Sequence, residues 1–333
     1  MYEESSAVEA GRPVSSAEPP LALDAVPLEV PRDQPGAMEL AGTRAAALQP
    51  AAQIQRPARA LIGWMATADA LRLLNGNTAD RPPADEQRRA VEAAQRRVAE
   101  REAVATATES TSDRPAELEG YITVLRADSA AAQMFASGWD VAMVDLSKVI
   151  AFQPQVFTDS AADRMSGIDG SSVDDIARVT LPVQPPASLP IQFDAARKCW
   201  HVVSCNPNLQ AVAPWEGPVP TPQGLVTLIG FVLSIPTSFV QVAEFDGRHY
   251  LRDGYHRAYA LISAGVTMVP AFVRRIDTIV ELVPPGMLPQ AAYRGLTPPF
   301  LPNYLDDTVA ASAVLPAQQK LVAIQALELS PVV

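Results

Sequence analysis

At 333 residues, 48% of them hydrophobic, the chain is long enough for one or two globular domains with a sizeable core, and its 31 prolines point to linkers and long loops. A formal net charge of −11 argues against a broad nucleic-acid footprint, because neutralising a phosphate backbone needs clustered Lys and Arg. Two cysteines, Cys199 and Cys205, make neither a disulfide framework nor a metal knuckle, and the acidic start Met1-Tyr2-Glu3-Glu4 lacks an apolar secretory segment, so a cytoplasmic protein with free thiols is expected.

Residues 1–58 are rich in Ala, Pro, Glu and Ser with little periodicity and read as a disordered tail. Its one apolar stretch, Leu21, Leu23, Val26, Leu28 and Val30, could dock on a protein partner. A helical region is expected over 59–137. It opens with a helix over 59–74 that places Trp64 and Met65 in the core and is closed by Asn75-Gly76-Asn77. Asp85–Val104 predicts a second helix, with Arg88, Glu92, Arg96 and Glu100 on its polar faces and a thin stripe of Val91, Ala94, Val98 and Val104. Thr106–Pro115 reads as a linker and Leu118–Leu125 as a short strand or the start of a helix. Asp128 then caps a small helix over Ser129–Ser137 that stops at Gly138, and Trp139–Leu146 reads as a strand.

From Thr158 to Gly224 the spacing of Asp159, Asp163, Asp169, Asp174 and Asp175 matches no calcium loop, so an acidic solvated loop is expected. Ile191–Phe193 and Cys199–Ser204 predict a hairpin around Ala195-Ala196, with His201 packed within it. The uncharged run Gly217–Ala243 is interrupted by Pro236 and rich in β-branched residues, which predicts buried strands rather than a membrane span.

The chemistry-bearing stretch follows. Val240–Phe245 alternates as a strand, Asp246-Gly247 supplies the two residues a type I′ turn prefers, and His249-Tyr250-Leu251 returns as the partner strand. Next come Asp253-Gly254-Tyr255-His256-Arg257 and a stripe of Ala258, Leu261 and Ile262 that ends at Gly265. With Asp253 as N-cap, the free amides of the first turn and the Arg257 guanidinium converge on an anion site that suits phosphate. Val269–Val273 is the next strand, and Arg248, Arg252, Arg257, Arg274 and Arg275 make a local basic patch. Beyond it, Asp277–Val283 reads as a last strand. A proline-rich tail over 284–333 carries an amphipathic helix, Ala317–Leu327, suited to the core or to another copy of the chain.

DGYHRAYAL, followed by a glycine and VPAFV, resembles the signature of the ParB/sulfiredoxin-like superfamily, in which a G-x-(H/R)-R-x-x-A loop and helix bind nucleotide phosphates. Val144–Ile150 with Gln153-Pro154 is similar to the first strand and loop of such domains, so the resemblance spans roughly 139–157 and 225–275. It implies an α+β fold over 138–283, a mixed sheet with helices, interrupted by an insertion over 158–224. It also implies ATP or CTP as ligand, held by Asp253, Gly254, Tyr255, His256, Arg257 and Arg248, with His256 donating a hydrogen bond or a proton.

Departures from the pattern narrow the chemistry. Sulfiredoxins carry a catalytic cysteine where this chain has Tyr255, so sulfinic acid reduction is not expected. Partition ParB proteins have two arginines at His256-Arg257 and a helix-turn-helix domain afterwards, so DNA clamping is not expected either. Related free serine kinases use an acidic catalytic residue, for which Glu244 and Asp246 are the candidates, joined by Asp253 if magnesium assists phosphoryl transfer or hydrolysis. A non-enzymatic interaction module is the alternative. A metal-dependent nuclease using His249, His256, Asp246 and Asp253 is the third reading; no preformed metal spacing supports it, and an acidic chain repels DNA.

Overall fold

In the computed structural model, residues 54–325 are described apart from 77–83, 105–109, 160, 184–188, 190, 197, 205, 207–208, 222–223, 283–286 and 318–319. The apolar stretch Leu21–Val30, Cys205 and the prolines at 284 and 285 therefore lie outside the described residues. The first element is a strand, β1 (Gln55–Ala60), where the sequence predicts the end of a tail. A 3-10 turn at Ile62–Trp64 follows, then α1 (Thr67–Leu74) and α2 (Asp85–Ala99), on which Val91, Ala94 and Val98 are buried as the stripe requires. After β2 (Thr111–Ser112) and α3 (Glu119–Ala127), the Asp128 carboxylate accepts the amides of Ala130 (3.0 Å) and Ala131 (2.9 Å) and so starts α4 (Ser129–Ala136). The chain enters the sheet as β3 (Asp140–Asp145).

The second half holds β4 (Gln155–Phe157), α5 (Ala161–Met165), α6 (Val173–Thr180), β5 (Gln192–Asp194) and β6 (Cys199–Ser204). They are followed by β7 (Gln210–Thr221), β8 (Gly224–Ser234), β9 (Gln241–Phe245), β10 (Arg248–Asp253), α7 (Tyr255–Ser263) and β11 (Met268–Arg275). Last are α8 (Gln290–Arg294), β12 (Ala311–Pro316) and β13 (Lys320–Gln325). The architecture is α+β. Its largest sheet runs β10-β9-β11-β3-β2, with β9 and β11 parallel and the other pairs antiparallel. A second sheet runs β12-β1-β4, a third β13-β6-β5, and β7 and β8 form a fourth among the described residues.

One continuous core joins parts that the sequence assigns to separate regions. Leu118 and Leu125 from the helical region, Leu181 from the insertion, Val240 and Phe272 from the sheet and Tyr304 from the proline-rich tail are all buried in it. No packing boundary therefore falls at 137 or at 284, and β1 is tied to β12 across the length of the chain, Arg56 opposite Leu315. Within the predicted helix over Ala317–Leu327, Lys320–Gln325 forms a strand instead. Val322 and Ile324 are β-branched, and the free edge of β6 offers them a ladder, with Leu321 opposite Val203 and Ile324 opposite Trp200. Where the sequence predicts a last strand, Ile279–Glu281 is a 3-10 turn, and the Glu281 carboxylate reaches back to accept the Thr278 amide (3.3 Å). The uncharged run gives strands as expected, but Leu225 and Val232 are exposed rather than buried. Among the described residues no helix is long and apolar enough to cross a membrane.

Candidate functional site

The hairpin forms as its sequence requires. Phe245 faces Arg248 across the β9–β10 pair, and the two residues between them are left-handed, Asp246 at φ 51° and Gly247 at φ 69°. At the other end of β10 the chain turns into α7 through Gly254, whose φ of 88° makes it the N-cap, a place the sequence gives to Asp253. A Cβ on Gly254 would lie 2.8 Å from Val240 Cα and 3.0 Å from the Phe239 carbonyl oxygen. This glycine admits the protein's own backbone, not a ligand. Asp253 is enclosed as well: one carboxylate oxygen accepts the Gly254 amide (2.6 Å), the other accepts the Ser238 hydroxyl (3.1 Å), and burial pushes the carboxyl above its usual range. Within the first turn, Gly254 O accepts the Arg257 and Ala258 amides, both at 2.9 Å.

The predicted site residues divide into three groups. Glu244, Asp246 and Arg248 sit at the turn end of the hairpin, which at about 3.3 Å per residue lies some ~16 Å from Asp253. There Asp246 pairs with Arg294 (3.2 Å), and the buried Arg248 donates to the carbonyls of Arg294 (3.1 Å) and Gly295 (2.8 Å) at the end of α8. Tyr255 belongs to the core: its buried hydroxyl accepts the main-chain amides of Phe152 (3.0 Å) and Gln153 (3.3 Å), and burial raises its pKa. His256 and Arg257 alone face a place where charge gathers.

That place is built by four elements. The His256 ring stacks on Phe157 at the end of β4, centroids 5.9 Å apart and planes within 4°. The Arg56 guanidinium of β1 lies over the same phenylalanine, 4.2 Å from its centroid, and holds Asp159 through two bonds of 2.6 and 2.7 Å. Arg164 comes from α5, which packs on α7. Arg257 extends from α7 to α6, where its Nη1 donates to the Val179 carbonyl (2.7 Å). The electrostatic consequences agree with a crowd of cations. Burial, then Arg164 and Arg56, pushes His256 down to about 4, so the ring is neutral at neutral pH. Burial and Arg164 bring Arg257 down to about 10, and burial and Arg56 lower Arg164.

Cationic side chains from β1, α5 and α7 thus gather at the end of α7 where the sequence points to the helix amides. Arg56, Phe157, Asp159 and Arg164 were not legible beforehand, since they lie about 90 to 200 residues from His256 in segments that read as tail, loop and insertion. No local pattern marks them. The ligand set written for a metal-dependent nuclease is split between the two ends of the hairpin, and among the described residues no three His, Cys, Asp or Glu side chains are grouped to hold a metal. No protein-family model matches the chain, and neither a curated protein nor a solved structure matches it.

Proposed function

We propose that this chain binds a nucleotide, ATP or CTP, by its phosphates, on the face where His256, Arg164, Arg56 and Arg257 meet. One observation carries the reading: Arg164, Arg56 and Arg257 gather about the His256 imidazole, with Asp159 the carboxylate that opposes them there, on a chain whose net charge is −11. A cationic island on an acidic protein favours a small, multiply charged anion and disfavours a long nucleic acid, whose other phosphates would meet acidic surface. Guanidinium groups suit phosphate because their planar forks bind two oxygens at once. A ParB/sulfiredoxin-like domain is part of the same proposal, supported by the Asp253–Leu261 motif that delivers His256 and Arg257 and by the α+β architecture around it.

The reading is binding rather than phosphoryl transfer. Glu244 and Asp246 lie at the wrong end of the hairpin to serve a phosphate at His256, and Asp159 is engaged by Arg56. A magnesium ion needs one or two carboxylates beside the phosphates, and Asp253, the other one near, is enclosed by the Ser238 hydroxyl and the Gly254 amide. The test is a thermal-shift screen of the full-length chain with ATP, ADP, CTP and GTP, with and without magnesium. A ligand at 100 times its Kd adds about 2.7 kcal/mol, which the melting midpoint registers. No shift with any of the four removes the proposal.

A second reading, a non-enzymatic interaction module, rests on a different feature. Phe193, Trp200 and Ile324 form one row across the β5-β6-β13 sheet, each about half exposed, and the Phe193 and Trp200 rings stand 4.7 Å apart. An exposed aromatic row of this kind marks protein contact surfaces. Trp200→Asp is expected to convert any self-associated form to monomer in sedimentation; a wild-type chain that is monomeric at all concentrations leaves this row without a self-partner.

A further inference from the structure

The phosphate reading leaves one atom of the site without a role. Nε2 of His256 is buried and has no hydrogen-bond partner, whereas nearly all buried polar side-chain atoms have one. The ring is well held, between the Phe157 stack and the rest of α7, so the bare nitrogen is a property of the place.

The charges that face it are few. Arg164 from α5, Arg56 from β1 and Arg257 on α7 each disfavour an imidazolium, and Asp159 after β4 alone favours it. Of the other charged groups on the elements packed against α7, Asp163 on α5 and Asp174 on α6 are exposed to solvent, and the rest are paired. Arg178 pairs with Asp175 within α6 (2.6 Å), Lys148 with Asp145 (3.4 Å), and Arg59 with Asp307 (2.6 Å). From the Leu301–Leu305 turn comes the neutral Tyr304, edge-on to Tyr259.

We propose that the ligand's phosphate is the missing partner: one of its oxygens accepts a hydrogen bond from Nε2 of His256, and binding is accompanied by uptake of a proton from solvent onto that nitrogen. The inference rests on the phosphate reading above. One N–H bond forms, a buffer molecule loses the proton, and no bond of the ligand is made or broken. The physical reason is that a dianion set among three guanidinium groups cancels the field that opposes the imidazolium and supplies an acceptor for its proton. Affinity for a dianion therefore climbs as the pH falls, by up to about tenfold per unit, and levels off once the free ring is itself protonated.

The full-length chain labelled with 13C-histidine gives three ring signals, one for each of its three histidines, and His256→Asn identifies one of them. Each signal is titrated by NMR without ligand, with inorganic sulfate, which stays dianionic over the range used, and with ATP. The His256 signal is expected to titrate near 4 alone and at least about one unit higher with either anion at saturation. An unmoved His256 midpoint in a sample whose thermal shift shows the anion bound overturns proton uptake and leaves phosphate binding standing. Absence of any thermal shift with sulfate and with nucleotide removes both. Should His256→Asn not fold, Arg164→Gln identifies the signal, because removing that neighbouring cation raises the His256 midpoint alone.

Discussion

The hydroxyl of Tyr255 accepts the main-chain amide of Phe152 at 3.0 Å, and the two rings meet edge to face with centroids 5.9 Å apart. This pair fastens the start of α7 to the segment that leaves β3, and so fixes where His256, the next residue, can point. Tyr255→Phe leaves two amides, the buried one of Phe152 and the half-buried one of Gln153, without their acceptor. A loss of about 1–3 kcal/mol in urea unfolding is expected, with nucleotide affinity little changed. A large loss of affinity at unchanged stability would place Tyr255 in the ligand site instead.

Gly254→Ala combines two penalties. The residue holds φ at 88°, which costs an alanine about 1–2 kcal/mol, and the new methyl falls 2.8 Å from Val240 Cα, where backbone must yield. A destabilisation above about 2 kcal/mol follows, read from the denaturation midpoint at constant slope. An unchanged midpoint would mean that the Phe239–Val240 strand entry backs away freely.

Arg164 separates stability from function. Burial and Arg56 disfavour its charge more than Asp159 favours it, so its guanidinium is held at some expense to the fold. Arg164→Ala is expected to melt at the wild-type temperature or above, to abolish the nucleotide-induced thermal shift, and to raise the His256 pKa, whose first electrostatic opponent is Arg164. Retention of the full nucleotide shift in this variant removes α5 from the site.

His256 makes the fold sensitive to acid. Its folded pKa of about 4 lies below the ordinary histidine value near 6.5, so the folded state binds its proton less readily than the unfolded chain. The stabilisation is fully present above about pH 6.5 and is lost as the pH falls through 4, with a total on the order of 3 kcal/mol. His256→Phe keeps a ring against Phe157 without a titrating group. The difference in unfolding free energy between about pH 7.5 and pH 4.5 should shrink in that variant by most of this amount; equal differences in the two proteins would show that other groups govern the acid limb.

The sequence by itself determined the elements whose causes lie within a few residues. Asp246-Gly247 dictates the β9–β10 turn because both positions need a left-handed backbone, Asp128 starts α4 by accepting two nearby amides, and the Ala258, Leu261 and Ile262 stripe fixes which side of α7 is buried. What only the tertiary structure decided was every relationship carried by partners far apart in the chain. Leu321–Ile324 has helical spacing but becomes a strand because the edge of β6 offers hydrogen bonds, a fact no local pattern contains. Gly254, which the resemblance sets against a ligand, packs against Val240. Arg56 and Asp159, 103 residues apart, come together beside His256 because β1 pairs with β4, and register between distant strands is set by the packed core rather than by either segment alone.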